Sequence, residues 1–377
     1  MQLLTLFTRV PYTLANKQQY EDILSNLEPD KISSSLAQGY SDNLIKGVAS
    51  VLKNDDDLTY QIKANATRFA YYKAYKVSSL LNEVQQQYKG KDKEIKDLSY
   101  AILNTFNRYQ ASEYNTTISR CRTAKQWQQF TSDAINNQLF PNIRWIPSRS
   151  ANPREAHKPF YNKVWAKNDP FWLDNQPGTL WNCKCDWEQT SLPVTNGNPT
   201  NNTSQPGLRG NPAITGKIFS DDASYFQFSK TKQGKIDLQV NTIMAPVVYN
   251  QCKYLYNKKV SVNLFDDGLV DVGFNSKNLS HLVFNDLRTA GQDMYQKNII
   301  LKDIDIFLKK AILVAYEDNK KKNKKTTAIR YYYFQTSMPN GTIIYLNVEK
   351  RIIDNMTKYH LYAISKKLRE SAIILKK

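Results

Sequence analysis

The chain has 377 residues, long enough for two or three folding units with separate cores. Lys and Arg number 52 against 34 Asp and Glu, so the formal net charge of +18 favours anionic partners, nucleic acid ahead of a membrane surface. No apolar run reaches the roughly 18 to 20 residues that span a bilayer, and four cysteines are too few for a disulfide framework, which excludes a membrane span and a disulfide-stapled secreted fold. Residues 1–7 lack the basic flank and cleavage site of a signal peptide and read as mature, intracellular sequence.

In chain order, residues 18–27 suggest a short helix. Residues 64–88 repeat apolar side chains at three- and four-residue steps through Phe69, Tyr72, Tyr75 and Leu80. Residues 91–140 contain neither proline nor glycine and continue the pattern through Leu98, Ile102, Phe106 and Tyr109, one long amphipathic helix or two in series. The region 1–140 is therefore expected to be helical. Pro141 ends that regime, and 141–191 is dominated by tryptophan, proline and asparagine, as in a compact loop-rich unit. Residues 192–234 open with Leu-Pro-Val-Thr-Asn-Gly-Asn-Pro and read as a linker. In 235–377, residues 260–265 alternate as a strand, 281–297 and 303–317 read as helices, and 329–336, 343–348 and 359–364 as further strands. Pro339-Asn340-Gly341 marks a hairpin turn. The expected fold class is thus α+β multidomain, its last domain small with an antiparallel sheet. From residue 251 onward 23 Lys and Arg face 12 Asp and Glu, a net +11 of the chain's +18. The run Lys320–Lys325 reads as a solvated loop that adds non-specific affinity for nucleic acid.

Cys183 and Cys185 flank a single residue, a spacing at which a mutual disulfide is hard to close. With His157 upstream they offer three ligands to zinc, Asp169 or Asp186 supplying a fourth. The same residues also read as plain packing, with Cys185 among tryptophans and His157 bonded to Asp169. Cys121 and Cys252 stand alone and read as inert thiols. The chain has no Gly-rich Lys-Ser/Thr loop, no His-Glu-x-x-His and no Gly-x-Ser-x-Gly, which argues against a P-loop nucleotide hydrolase, a zinc protease and an α/β-hydrolase.

Across this block the order is Trp145, Arg154-Glu-Ala-His157, Asp169-Pro-Phe-Trp172, Pro177, Cys183-Lys-Cys185 and Gln189-Thr190. In order and wording it resembles the phage Mu F-like minor head proteins of tailed phages and prophages, a resemblance that extends over residues 60–225. It implies a capsid-morphogenesis protein present in few copies, made in the bacterial host cytoplasm and carried in the virion head. Its implied partners are the portal, other head proteins and packaged DNA. Many members carry an aspartate seven residues before the histidine, where this chain has Ser150.

F-like proteins often carry a variable domain after this block, and residues 255–370 are similar to the small nuclease folds of the barnase, EndoU, colicin and RelE group, or to domains of polyvalent phage proteins. Two helices, a sheet and the strand Tyr359-His360-Leu361-Tyr362, rather than a diagnostic motif, carry that likeness. Metal-free RNA cleavage needs a base, an acid and cations for the phosphorane. His281 and His360 are two of only three histidines, Arg330 and Arg351 are candidate phosphate clamps, and Tyr362 or Ser365 would position the substrate. Two expectations stand side by side: a head protein whose basic C-terminal domain binds DNA or the portal, and one whose C-terminal domain is a ribonuclease toxin acting on host RNA.

Overall fold

A computed structural model describes residues 17–54, 56–132, 134–285, 294–319, 328–338 and 341–375. The chain is an α+β multidomain protein of two compact units, Met1–Ile236 and Asp237–Lys377. Among the described residues no helix is long and apolar enough to cross a membrane.

The first unit begins with helices α1 (Lys17–Ser25), α2 (Ser34–Val51), α3 (Asp57–Gln87) and α4 (Asp92–Thr131). Asp56 starts α3 by accepting the Thr59 N–H at 2.8 Å, which satisfies one of the amide groups orphaned at a helix start. An unbroken run of buried residues, Phe69 to Tyr75, shows that α3 is covered on every side, so it is the central helix. Within that run Lys73 is fully buried, and Glu113 of α4 neutralises it at 2.6 Å.

Helix α4 does something its apolar pattern does not announce. It buries a polar stripe, Thr116, Arg120 and Thr123, at helical spacing. Loops that fold into an interior must find partners for their backbone groups, and this stripe supplies them. Thr116 Oγ1 accepts the Asn182 N–H at 2.9 Å, and Thr123 Oγ1 donates to the Pro177 carbonyl at 2.8 Å. The Arg120 guanidinium donates to the Leu208 and Gly210 carbonyls at 2.9 and 2.8 Å.

After α5 (Ala134–Leu139), strands β1 (Asn142–Ile146), β2 (Val164–Ala166) and β3 (Asp186–Thr190) form a small antiparallel sheet in the order β2-β1-β3, with Trp145 opposite Trp187. The sheet and helix α6 (Phe171–Asp174) enclose a core of Trp145, Phe160, Trp165, Phe171, Trp172 and Trp187. This is the compact unit expected over 141–191.

The segment 192–234 corrects the linker expectation. Residues 192–206 are unburied, as a linker would be. Beyond them Leu208, Ile218, Phe219, Ala223 and Phe226 are buried. Phe219 stacks on Phe69 of α3 with centroids 3.7 Å apart, and Asn65 exchanges two 2.8 Å hydrogen bonds with its backbone. Helix α7 (Pro212–Thr215) lies in this stretch. Polar composition hid a packed segment because only a few large apolar residues anchor it.

Helix α8 (Lys230–Cys252) contains the division between the units. The second unit has β4 (Lys259–Leu264), β5 (Gly268–Gly273), helix α9 (Ser276–Ser280), a π-helical turn His281–Asn285, and short helices Met294–Leu301 and Ile304–Lys310. Strands β6 (Ile312–Asp318), β7 (Ala328–Ser337), β8 (Ile343–Ile353), β9 (Met356–Ser365) and β10 (Ile373–Ile374) complete it. Seven described strands make one sheet, ordered β10-β6-β7-β8-β9-β5-β4. The sheet is mixed where an antiparallel one was expected, because β5 runs parallel to β9, with Gly273 opposite His360. The helix expected over 303–317 stops at Lys310: Ala311 is extended, and residues 312–318 pair with β7, placing Tyr316 opposite Tyr332. Of the helix expected over 281–297, residues 286–293 lie outside the described residues, as do Lys320–Lys325 and Pro339-Asn340. The hairpin between β7 and β8 still closes, with Met338 N–H donating to the Thr342 carbonyl at 2.8 Å.

Replacing Arg120 with Met keeps the length of the stem and strands two buried carbonyls. The first unit is expected to lose about 3 kcal/mol, from roughly 1–3 kcal/mol per unsatisfied group, read as a shift of its urea midpoint.

Candidate metal centre

Three side chains converge beneath the aromatic core. A 3₁₀ turn, Glu155–Phe160, presents His157, and the approach to β3 presents Cys183 and Cys185. His157 Nδ1 lies 3.5 Å from each sulfur, and the ligand atoms of all three residues fall within 4.8 Å of one another. Among the described residues this is the one His/Cys/Asp/Glu group arranged to hold a metal ion.

The chain reaches this geometry by constrained backbone. Gly178 has φ 96°, and a Cβ there would stand 3.0 Å from Arg120 Cγ, so the turn after Pro177 can pass over α4 only as glycine. Asn182, at φ 58°, takes the left-handed conformation that asparagine tolerates better than most residues and delivers Cys183. The Cys185 N–H then points at Cys183 Sγ at 3.4 Å.

The histidine is oriented from behind. Thr179 Oγ1 donates to the Gln176 carbonyl at 2.9 Å, which leaves its lone pairs for His157 Nε2 at 3.3 Å. With Nε2 facing Thr179, Nδ1 is the nitrogen turned towards both sulfurs and the one that would ligate a metal. Hydrogen bonding from Cys185 holds the Cys183 thiol well below its usual range, with His157 adding to the effect against burial. The shared proton pushes Cys185 up in turn, while Trp145 and Tyr161 act on it in the lowering direction. The Trp145 indole nitrogen and the Tyr161 hydroxyl are buried atoms without a full hydrogen bond, and a Cys185 thiolate is the acceptor they lack. By contrast, burial pushes the Cys121 thiol up to about 12 against the pull of Arg120, and burial with Asp303 does the same for Cys252, in keeping with inert cysteines.

Neither expected carboxylate joins the group. Asp169 Oδ1 instead accepts the Phe171 N–H at 2.8 Å and starts the turn into α6, and Asp186 accepts from Gln126 Nε2 and from the Trp187 N–H. This corrects the ligand set: Asp169 serves the fold of the Asp-Pro-Phe-Trp stretch, and His157 bonds Thr179. Ser150 lies on the wall of a cleft of about 280 Å3 that also borders Cys183 and Cys185.

Comparison with known protein families, characterised proteins and solved structures gave no match.

In the second unit the four side chains expected to cleave RNA divide between two sheet faces. Neighbours along a strand point to opposite faces, and Arg330 and Tyr331 follow one another on β7, opposite Lys350 and Glu349. Glu349, His360 and Gly273 form one row across β8, β9 and β5. Arg351 Nε sits 2.7 Å from Glu349 Oε1, which also accepts from Asn278 Nδ2 at 3.0 Å. Tyr362 bulges from β9 between the paired Leu361 and Ala363, and its ring meets both His281, at 5.4 Å, and Tyr331. His360 and Arg351 thus share the face of Glu349, while His281 stacks on the Tyr362 ring. Arg330 belongs to the other face, where Asp266 and Asp318 hold it in ion pairs beside Tyr332. Ser365 accepts from Asn347 Nδ2 at 3.4 Å. Burial lowers the His360 pKa against the pull of Glu349, and His360 Nδ1 and Glu349 Oε2 are buried atoms without a hydrogen-bond partner. Glu349 is the residue sequence reasoning passed over; its signal was a charged triplet, Glu349-Lys350-Arg351, inside an apolar strand.

Thr179→Val removes the acceptor behind His157 while preserving shape. Divalent-metal affinity, measured by competition with a chromophoric chelator, is expected to fall roughly 10- to 100-fold.

Proposed function

We propose that the chain is a minor head protein of the Mu F-like kind, placed at the portal in the virion head against packaged DNA, whose loop-rich block is stapled by zinc. The convergence of His157, Cys183 and Cys185 carries this reading. Residues that bear the resemblance have distinct physical tasks within one small region: His157, Cys183 and Cys185 as ligands, Asp169 and Trp172 in the turn and core, and Arg154 Nη2 donating to the Trp181 carbonyl at 3.1 Å.

Zinc suits the donors, two thiolates and an imidazole. A tetrahedral ion with bonds of about 2.3 Å to sulfur and about 2.0 Å to nitrogen sets S···N near 3.5 Å, the separation found for both cysteines. A unit with three short strands and long loops gains folding free energy from such an ion, and the Cys185 thiolate it stabilises answers the unsatisfied Trp145 and Tyr161 donors. The net +18 suits contact with a dense polyanion and makes that contact salt-dependent.

The purified chain is expected to carry one zinc per molecule by elemental analysis, lost in the Cys183→Ser, Cys185→Ser double variant. The chain is also expected to band with DNA-filled particles when the encoding bacterium's prophage is induced, detected by mass spectrometry. Zinc-free protein would remove the staple, and absence from particles would remove the head assignment.

A second reading, a ribonuclease in the second unit, is favoured by the buried Glu349 beside His360 and Arg351 with polar valences unused. In it one of His360 and Glu349 takes the 2′-hydroxyl proton as that oxygen bonds to phosphorus, the other gives a proton to the departing 5′-oxygen, and Arg351 faces the phosphate. The full chain is then expected to cleave tRNA, with at least about 100-fold loss in His360→Ala or Glu349→Gln, the scale of general acid–base catalysis. Intact RNA, or cleavage by both variants equal to that of the unaltered chain, rejects it.

A further inference from the structure

We infer that a metal held by His157, Cys183 and Cys185 keeps one coordination position for a ligand from outside the chain, and that this position receives a carboxylate or phosphate oxygen through the neighbouring cleft. The inference rests on the metal reading above.

Four-coordinate zinc with three protein ligands retains a place for a further ligand. Among the described residues no fourth histidine, cysteine or carboxylate joins the group, and the nearest sequence candidates, Asp169 and Asp186, are committed to other donors. The vacant direction is set by what covers each ligand. His157 is wholly buried, with the Trp145 ring 5.0 Å and the Phe160 ring 5.9 Å away, and with Thr179 behind its Nε2. That side is closed. Cys183 and Cys185 instead border the cleft of about 280 Å3, so the group opens there.

The cleft's chemistry selects the ligand. A dication and two thiolates sum to no net charge, so selection falls to the walls. Ser148, Ser150, Asn152 and Asn182 offer neutral hydrogen bonds, Arg154 and Lys184 bring two cations, and no carboxylate lines the space. Arg154 spends one of its N–H groups on the Trp181 carbonyl, and a guanidinium carries five. Each water takes about 30 Å3 of liquid, so the volume admits a hydrated carboxylate or phosphate group rather than one water alone. The centre is thus built as an open site, able to clip a carboxylate or phosphate of a partner onto the block.

The test uses the full chain loaded with cobalt(II), whose visible absorption reports coordination. Acetate and inorganic phosphate are titrated in turn. A saturable spectral change is expected with at least one, weakened tenfold or more by Arg154→Met with Lys184→Met. Ser150→Asp, which brings a carboxylate into the cleft wall, is expected to bind cobalt more tightly and to abolish the response. A cobalt spectrum unmoved by both anions overturns the open position while leaving the metal centre standing. A chain that binds no cobalt overturns the metal reading and the inference with it.

Discussion

Arg120 and the threonines on either side of it hold the first unit together. A loop-rich block cannot fold against a helix unless its carbonyls and amides are satisfied, and α4 presents Thr116, Arg120 and Thr123 as a buried polar stripe for that purpose. Burial drives the Arg120 pKa down to about 10, so a guanidinium still charged at neutral pH is buried against dipoles. Because the same side chain reaches Leu208 and Gly210 while crowding Gly178, it fixes the two sides of the block at once.

With the loops fixed, the Cys/His group follows. The turn at Gly178 sets Thr179, Thr179 orients the His157 ring, and Asn182 sets Cys183. The aromatic core does the remaining positioning: Trp145, opposite Trp187 in the sheet, packs edge-on to His157 at 5.0 Å. The result is a His/Cys group able to hold a metal ion, closed on its histidine side and bordered by a polar, cationic cleft on its sulfur side.

The second unit separates its charges by the pleat of its sheet. One face spends Arg330 and Lys350 on Asp266, Asp267 and Asp318, an ion network whose members satisfy one another. The other leaves Glu349 and His360 with unused polar atoms beside Arg351, while the bulge at Tyr362 turns that ring toward His281. Adjacent residues with similar side chains therefore have opposite chemical prospects.

Periodicity by itself determined the long helices, because Asp57–Gln87 and Asp92–Thr131 contain no proline or glycine and repeat their apolar residues on one helical period. Composition determined the compact tryptophan-rich block and the basic balance, and alternation determined strands β4, β7, β8 and β9. Spacing proposed His157, Cys183 and Cys185, since ligand types are visible in a sequence even when their distances are not. Only the tertiary structure decided that Asp169 caps a turn instead of joining the cysteines, that Leu208, Ile218, Phe219 and Phe226 are core, and that 312–318 is a strand, because the last two depend on partners distant in sequence. It alone also set Arg330 apart from Arg351 and drew Glu349 to His360: the register of three strands fixes which side chains share a face, and register is a property of the sheet, not of any one strand.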